Sequence, residues 1–414
     1  MHANPASPQS LSFEDARHLV EEHAAKIRPR ATEEVELLEG VNRVLAEPIR
    51  ADRDFPPFPR AARDGYAIRA AELAQVPAQF DVTAEIRAGA DLESIPALAP
   101  GQTVAIMTGA AAPPSVDAVV MLEYTRRRGN RVEVLRGIQA GENIVARGSE
   151  ARRGDLLVAP GSLLDEATIA VAAAVGKARV RVYQKPTIAV LATGDEIVDI
   201  EAQPGPTQIR NSNTYSLAAQ ILAAGAEPVR LPVAADQVIE LRKLIGAGLE
   251  SDILLLAGGV SAGKYDLVEQ VLAELGAEFF FTGAQIQPGR PIVFGRVGEK
   301  YFFGLPGNPL STMVTFELFA IPIVEAMLGL KPHKLVFLHA RLKTEVTTKT
   351  GLRRFLPACL SGEFERAEVE LVGWHGSGDV AAAARANCYL VVGPDRERIA
   401  AGESVPVLMR KSAM

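Results

Sequence analysis

The stretch ILLLAGGVSAGKYDL, residues 253–267, decides how this chain is read. Residues 253–256 are apolar at every position. A short run with no polar alternation suits a strand buried on both faces, as in a parallel sheet covered by helices. Gly258 and Gly259 end the run, and 267–275 has helical spacing. Strand, glycine turn and helix make one βα unit.

Outward from that unit the alternation repeats. Thr187–Ala192 is a β-branched and aliphatic run. The pattern then predicts helix at 215–224, strand at 227–233, helix at 238–249, strands at 279–281 and 301–304, and a long helix at 310–328. An α/β domain over 186–331, built on a central parallel sheet, is the expectation. In such sheets ligands bind beyond the carboxyl ends of the strands. After Lys331-Pro332 the runs become short and strand-like, at 335–342, 355–360, 369–372, 388–392 and 405–409. They predict a small C-terminal β-barrel over 332–414.

Upstream, residues 1–11 are dominated by Pro, Ser, Gln and Asn and read as disordered. A helix is expected from Ser12, with Asp15 in capping-box spacing and an apolar stripe of Ala16, Leu19, Val20, Ala24 and Ile27. Prolines in 54–59 break any regular element. Strands are expected at 80–86, 103–107, 118–122 and 132–135, the last two joined through Gly129-Asn130. An Ala-rich helix at 165–175 is expected to return onto the first helix. That predicts an inserted β-rich domain over 51–148, within a helical and linker domain made of 1–50 and 149–185.

The chain has 414 residues, 48% hydrophobic and 23% charged, which suits an ordinary globular protein of several domains. With a net charge of -6 and no basic domain, no nucleic-acid partner is expected. The run Arg126-Arg127-Arg128 reads as a solvated hairpin tip. Two cysteines without a CxxC pair and six histidines without HExxH argue against a disulfide framework or a structural zinc. The start MHANPASPQS lacks the pattern of a secretory signal, and no uninterrupted apolar stretch approaches the roughly 18 residues a membrane span needs. A cytoplasmic location and no membrane contact are expected.

Four turns follow strands in the α/β region: 193–196, 258–264, 287–291 and 304–309. Glycine lets backbone N–H groups approach a ligand, and a helix start adds partial positive charge. Two such turns opening helices form an anion site without basic side chains. Carboxylates accompany them: Asp195 and Glu196 after the first strand, Asp236 after the next, and Asp266 after the second turn. If they converge, they and phosphate oxygens can share Mg²⁺. Singly, Asp236 and Asp266 would serve equally as helix caps. The spacing Gly258…Gly263-Lys264 imitates a P-loop, but Tyr265 stands where that motif needs Ser or Thr.

Six elements in order carry a resemblance. Asp64-Gly65-Tyr66-Ala67, Met107-Thr108-Gly109-Ala110, Thr193-Gly194-Asp195-Glu196, Gly258-Gly259-Val260-Ser261, Asp266 and GLPGNPLS at 304–311 resemble the molybdopterin molybdenumtransferases. That family includes bacterial MoeA proteins and the C-terminal domain of gephyrin, and the match spans nearly the whole chain. The resemblance implies an elongated four-domain homodimer that inserts molybdate into adenylylated molybdopterin and releases AMP with a divalent cation, usually Mg²⁺. It implies catalytic roles for Asp64, Glu196, Asp236 and Asp266, with Asp236 and Asp266 on the metal. Thr108, Thr193, Gly194, Gly258, Gly259, Val260, Ser261, Pro306, Gly307 and Asn308 would contact the pterin nucleotide. Asp64 and Thr108 would come from the partner subunit. Molybdate would lie near Pro288, Arg290, Ser311 and Ser377, and transient contact with other cofactor-biosynthesis proteins is expected.

The chain departs from the family pattern in three places. Gln287 stands where a lysine is usual, which removes one positive charge beside the molybdate. Pro59-Arg60-Ala61-Ala62-Arg63 replaces the usual segment before Asp64. Leu352 replaces an arginine, although Arg353 and Arg354 follow. A tungsten-handling paralogue and a non-catalytic, gephyrin-like scaffold are the alternatives; a P-loop hydrolase is a third class.

Overall fold

The computed structural model describes residues 10–29, 31–91, 97–259, 267–331 and 334–410. By contact density the chain divides into two compact units. One comprises residues 1–34, 42–46 and 181–414, and the other 35–41 and 47–180.

The larger unit is built on a six-stranded sheet. Its order is Glu227–Arg230, Thr187–Ala192, Ile253–Ala257, Lys300–Leu305, Val293–Val297, Ala277–Phe281. The first four strands run parallel; Val293–Val297 is antiparallel to both neighbours. The sheet is therefore mixed, and the antiparallel strand has no counterpart in the sequence-based expectation.

The apolar strands bury both faces. Ile188, Val190, Ile253 and Leu255 pack with Leu217 and Ile221 of Ser212–Ala223 and with the helical run 309–327. Ala189, Leu191, Leu254 and Leu256 face the other way, onto Leu241 and Ile245 of Val238–Gly248 and Val268, Val271 and Leu272 of Leu267–Glu274. Each fully buried Leu or Ile contributes about 1.5–3 kcal/mol.

The long helix expected at 310–328 is a run from Pro309 to Met327 with a wide, π-pitched turn at Phe316–Ala320. It is long and apolar enough to span a membrane by composition, yet 89% of its most apolar 18-residue window is buried. Pro322 has no N–H to return to the Leu318 carbonyl. The guanidinium of Arg17 donates to that carbonyl instead, and Glu21 pairs with Arg17 at 2.7 Å. Arg17 lies on Phe13–Ala24, capped by Ser12, whose hydroxyl accepts from the Asp15 N–H at 3.0 Å. The stripe of this helix was expected to meet 165–175; its partner is Ile321–Met327.

The C-terminal strands close into a small barrel. Arg353–Ser361 pairs with Glu368–Leu371 and Cys388–Val392, and the circle runs on through Phe337–Leu342 and Ser404–Met409. Ile286–Gln287 adds a short parallel strand beside Arg353 and Arg354.

The smaller unit holds a second six-stranded sheet, ordered Ala118–Met121, Gly65–Ile68, Gln102–Ile106, Ala78–Ile86, Arg131–Val134, Thr125–Arg128. The turn at Gly129-Asn130 joins Thr125–Arg128 to Arg131–Val134, whereas Ala118–Met121 pairs with Gly65–Ile68. The hairpin expected between 118–122 and 132–135 is corrected accordingly. The three arginines form an exposed strand leading into the turn. Glu166–Ala174, capped by Asp165, packs on Leu156–Val158 and Leu37–Gly40.

Candidate functional site

Strand register brings the glycine turns to one edge. Ala192 pairs with Ala257, and Ala257 with Leu305, so three strands finish level. The chain leaves them through Thr193-Gly194, Gly258-Gly259 and Pro306-Gly307-Asn308. The edge strand joins them: the Ala234 N–H donates to the Ala192 carbonyl at 2.9 Å, and the Gly194 N–H to the Ala234 carbonyl at 3.3 Å.

Space explains two of the glycines. A Cβ on Gly258, at φ +100°, would fall 2.9 Å from the Thr193 carbonyl oxygen. One on Gly259, at φ +69°, would fall 2.6 Å from Thr193 Oγ1 and 2.8 Å from Val268 Cγ2. Gly307 differs. Its φ is not positive, and its nearest neighbour would be the Gly258 Cα at an ordinary 3.6 Å. The fold tolerates a side chain there, so the bare backbone at 307 is open to a ligand rather than demanded by packing.

Two helices start at this edge. Asn211 caps Ser212–Ala223 by accepting from the Thr214 N–H at 3.1 Å, and Asn308 precedes Pro309. Asn213, which the sequence reading passed over, donates its Nδ2 to the Gly307 carbonyl at 2.7 Å. Among the described residues, Asn213 Oδ1, Thr193 Oγ1 and Thr214 Oγ1 are buried without a hydrogen-bond partner. A buried polar atom left unpaired costs about 1–3 kcal/mol. Thr193 Oγ1 borders Gly259 and Asn213 borders Gly307, so two of these residues lie at the glycine turns.

The acids gather beside the glycines. Asp195 and Glu196 are exposed just past Gly194, and Asp195 Oδ1 accepts from the Asp236 N–H at 3.2 Å. Burial, then the negative charges of Asp195 and Glu196, push the Asp236 carboxyl above its ordinary range. Asp236 is not the helix cap: Val238–Gly248 starts after Gln237, with no side-chain cap bond. Among the described residues no three His, Cys, Asp or Glu side chains are arranged to hold a metal. Asp266, the second expected ligand, lies outside the described residues, as do Val260, Ser261 and Lys264.

A second group lies along the helix at 309. The Leu310 N–H donates to the Ser377 carbonyl at 3.0 Å, and Asn308 Nδ2 to Ser377 Oγ at 2.9 Å. Ser311 is buried in the next turn of the chain. Gly289, at φ +104°, is pressed on the same helix: a Cβ there would fall 2.3 Å from Thr315 Cγ2 and 3.6 Å from the Ser311 carbonyl oxygen. Pro288 is buried and Arg290 exposed on either side of it. Pro288, Ser311 and Ser377 thus collect around one helix start, with Arg290 at the rim of that turn.

In the smaller unit, Asp64 and Thr108 meet because Gly65 pairs with Ile106 across antiparallel strands. Asp64 Oδ1 accepts from the Thr108 N–H at 2.7 Å and from its hydroxyl at 2.9 Å. The backbone bond first, then the hydroxyl, hold the Asp64 carboxyl below its ordinary range. Gly65 is fixed by space, since a Cβ would fall 1.9 Å from the Val120 carbonyl oxygen.

Three family models match the chain in sequence. Residues 11–176 match the MoeA N-terminal region (domain I and II), 189–326 a probable molybdopterin binding domain, and 339–409 the MoeA C-terminal region (domain IV). The molybdopterin molybdenumtransferase of Nostoc sp. is 33% identical, covering 98% of this chain and 97% of the relative. The protein of that name from Bacillus subtilis is 34% identical, covering 91% and 90%. Among solved structures, a molybdopterin biosynthesis MoeA protein from Pyrococcus horikoshii is 32% identical, with TM-score 0.73 over 97% of this chain and 99% of its own.

Proposed function

From the premise that this chain belongs to the molybdopterin molybdenumtransferase (MoeA) family of molybdenum cofactor biosynthesis, we propose that it inserts molybdate into adenylylated molybdopterin and releases AMP. The observation that carries this reading is the level finish of three strands at Ala192, Ala257 and Leu305, which sets three glycine turns and the acids at one edge.

The roles follow from residue chemistry. The backbone N–H groups at 259 and 307 suit the phosphates, helped by the helix starts, while those at 194 and 258 donate to the Ala234 and Leu305 carbonyls and hold the turns in place. Asn213 holds the Gly307 turn in place and keeps its Oδ1 available to an N–H or O–H of the substrate. Thr193 adds a buried hydroxyl to the same edge. Glu196 orients the ligand. Pro288, Arg290, Ser311 and Ser377 receive molybdate as substrate, since an oxyanion wants a cation, hydroxyls and N–H donors. Asp64, its carboxylate kept charged by Thr108, works with them from the partner subunit of a homodimer.

The acidic edge fits a hard divalent cation in the manner of Mg²⁺, which takes one or two carboxylates and completes its shell with phosphate oxygens and water. Asp236 with Asp266 would hold it, and it would offset phosphate charge during hydrolysis of the phosphoanhydride. In that hydrolysis a water oxygen joins phosphorus, the bridging oxygen leaves with one half, and AMP departs.

The test is release of AMP from adenylylated molybdopterin by the purified chain with molybdate and Mg²⁺. Absence of AMP under those conditions rejects the reading.

A further inference from the structure

Arg353 and Arg354 are consecutive on the barrel strand Arg353–Ser361, so their side chains leave opposite faces. Arg353 is compensated. It pairs with Glu14, and its guanidinium lies 5.6 Å from the Phe13 ring centroid. Arg354 is not. Only 6% of it is exposed, its Nη2 donates to the Lys349 carbonyl, and its Nε, like that of Arg353, is buried with no acceptor; what it lacks is the counter-charge that Glu14 gives Arg353. No ion pair reaches it among the described residues. Burial lowers its guanidinium pKa, and no carboxylate opposes that shift. A buried cation with no counter-charge is costly, and proteins that keep one generally supply an anion.

Its position says where that anion would sit. Gln287 pairs with Arg354 in a parallel ladder, which sends both side chains to the same face. Gln287 leads directly into the turn Pro288-Gly289-Arg290, seated on the helix at Ser311 and Thr315. Gln287 carries no charge. The turn's own cation is the exposed Arg290, and it makes no ion pair among the described residues.

We propose that Arg354 is a specificity-determining cation for a tetrahedral oxyanion of the molybdate type, held at the seam between Gln287 and the barrel strand. The proposal rests on the function given above and adds to it a residue that none of the six motifs contains. A guanidinium offers several donors in a rigid plane, so it can bind two oxygens at once where an ammonium acts as a point charge. The competing role is purely structural, a cap on the Lys349 carbonyl, and the two roles predict different behaviour.

The experiment titrates the full chain with sodium molybdate, sodium sulfate and sodium phosphate by calorimetry, and records Tm with and without molybdate. Arg354→Met is expected to match or exceed the parent in Tm without anion, to bind molybdate at least tenfold more weakly, and to lose most of the molybdate-induced rise in Tm. Arg354→Lys should fall between them. Molybdate affinity in Arg354→Met within twofold of the parent overturns the proposal, whatever its Tm. If that variant does not fold, Gln287→Lys decides. A second cation beside Arg354 should lower Tm without anion, and molybdate should restore it; an unchanged Tm and unchanged affinity overturn the proposal. Failure of the parent chain to bind any of the three anions overturns it as well. Ser311→Ala separates the two levels: molybdate lost there but retained in Arg354→Met leaves the proposed function standing and removes Arg354 from it.

Discussion

Gly307→Ala separates the ligand cradle from the fold. The new methyl would lie 3.6 Å from the Gly258 Cα, an ordinary contact, and the backbone at 307 needs no positive φ. Replacing Gly by Ala at a compatible position stabilises by about 0.4–1 kcal/mol through the unfolded chain. The variant should therefore melt at or slightly above the parent temperature. Gly258→Ala should not. Left-handed backbone costs an L-residue about 1–2 kcal/mol, and the clash with the Thr193 carbonyl 2.9 Å away adds to it. A total near 2–3 kcal/mol lowers Tm by roughly 4–12 °C for a domain of this size. Binding should show the reverse order of surprise. If phosphate oxygens rest on the backbone at 307, the methyl displaces them and removes at least one charge-assisted hydrogen bond, worth about 1.5–3 kcal/mol. That corresponds to about 10- to 150-fold in affinity. Calorimetry with AMP, beside thermal melts of both variants, reads each number. A folded Gly307→Ala chain that binds AMP like the parent refutes the cradle. A Gly258→Ala chain as stable as the parent refutes the steric account of the turn.

Three further outcomes are expected. Asp236→Asn should raise stability near pH 7 by about 0.5 kcal/mol, the scale of an exposed charge pair, while weakening Mg²⁺ binding. Because the folded-state pKa of Asp236 is raised, its charge penalises the fold above that pKa and not below the ordinary carboxylate range; melts from pH 8 down to pH 4 should show the gain fading, and a gain that grows on acidification contradicts the sign. Thr108→Val should let the Asp64 pKa climb only part of the way back, since the stronger backbone bond survives, and carboxyl NMR titration of both proteins checks it. One thiol, Cys359, should react with a disulfide reagent at pH 8 in the native chain and two after denaturation, because Cys388 is buried with its pKa pushed up to about 12.

What could be read from the residues alone was whatever local chemistry fixes. Ile253–Ala257 announces itself because every position is apolar, and each is buried. Val293–Val297 does not, because Gly295 interrupts it. That glycine is demanded from elsewhere: a Cβ would fall 2.5 Å from both the Glu278 carbonyl oxygen and the Phe302 ring. The strand Thr125–Arg128 was hidden for a related reason, since three exposed arginines on a sheet edge carry no apolar alternation. The site divides the same way. Glycine turns at strand ends are visible in the sequence, but the strand order that sets 192, 257 and 305 level is not. Asn213 sits among weak helix formers, so sequence spacing starts the helix at Tyr215, and its task depends on a carbonyl 94 positions away.

Arg353 and Arg354 make the limit plain. They are identical side chains on adjacent residues, and strand alternation alone sends them to different surroundings. One finds Glu14, 339 positions away in the chain, and becomes an anchor for the first helix. The other finds a single carbonyl and keeps an uncompensated charge beside Gln287. Residue type predicts a cation in both cases; only the tertiary partner decides which cation is left to meet a substrate. Arg354 stands two residues beyond Leu352, the position where the resemblance implies an arginine, so a charge absent from one position is present close to it in the chain.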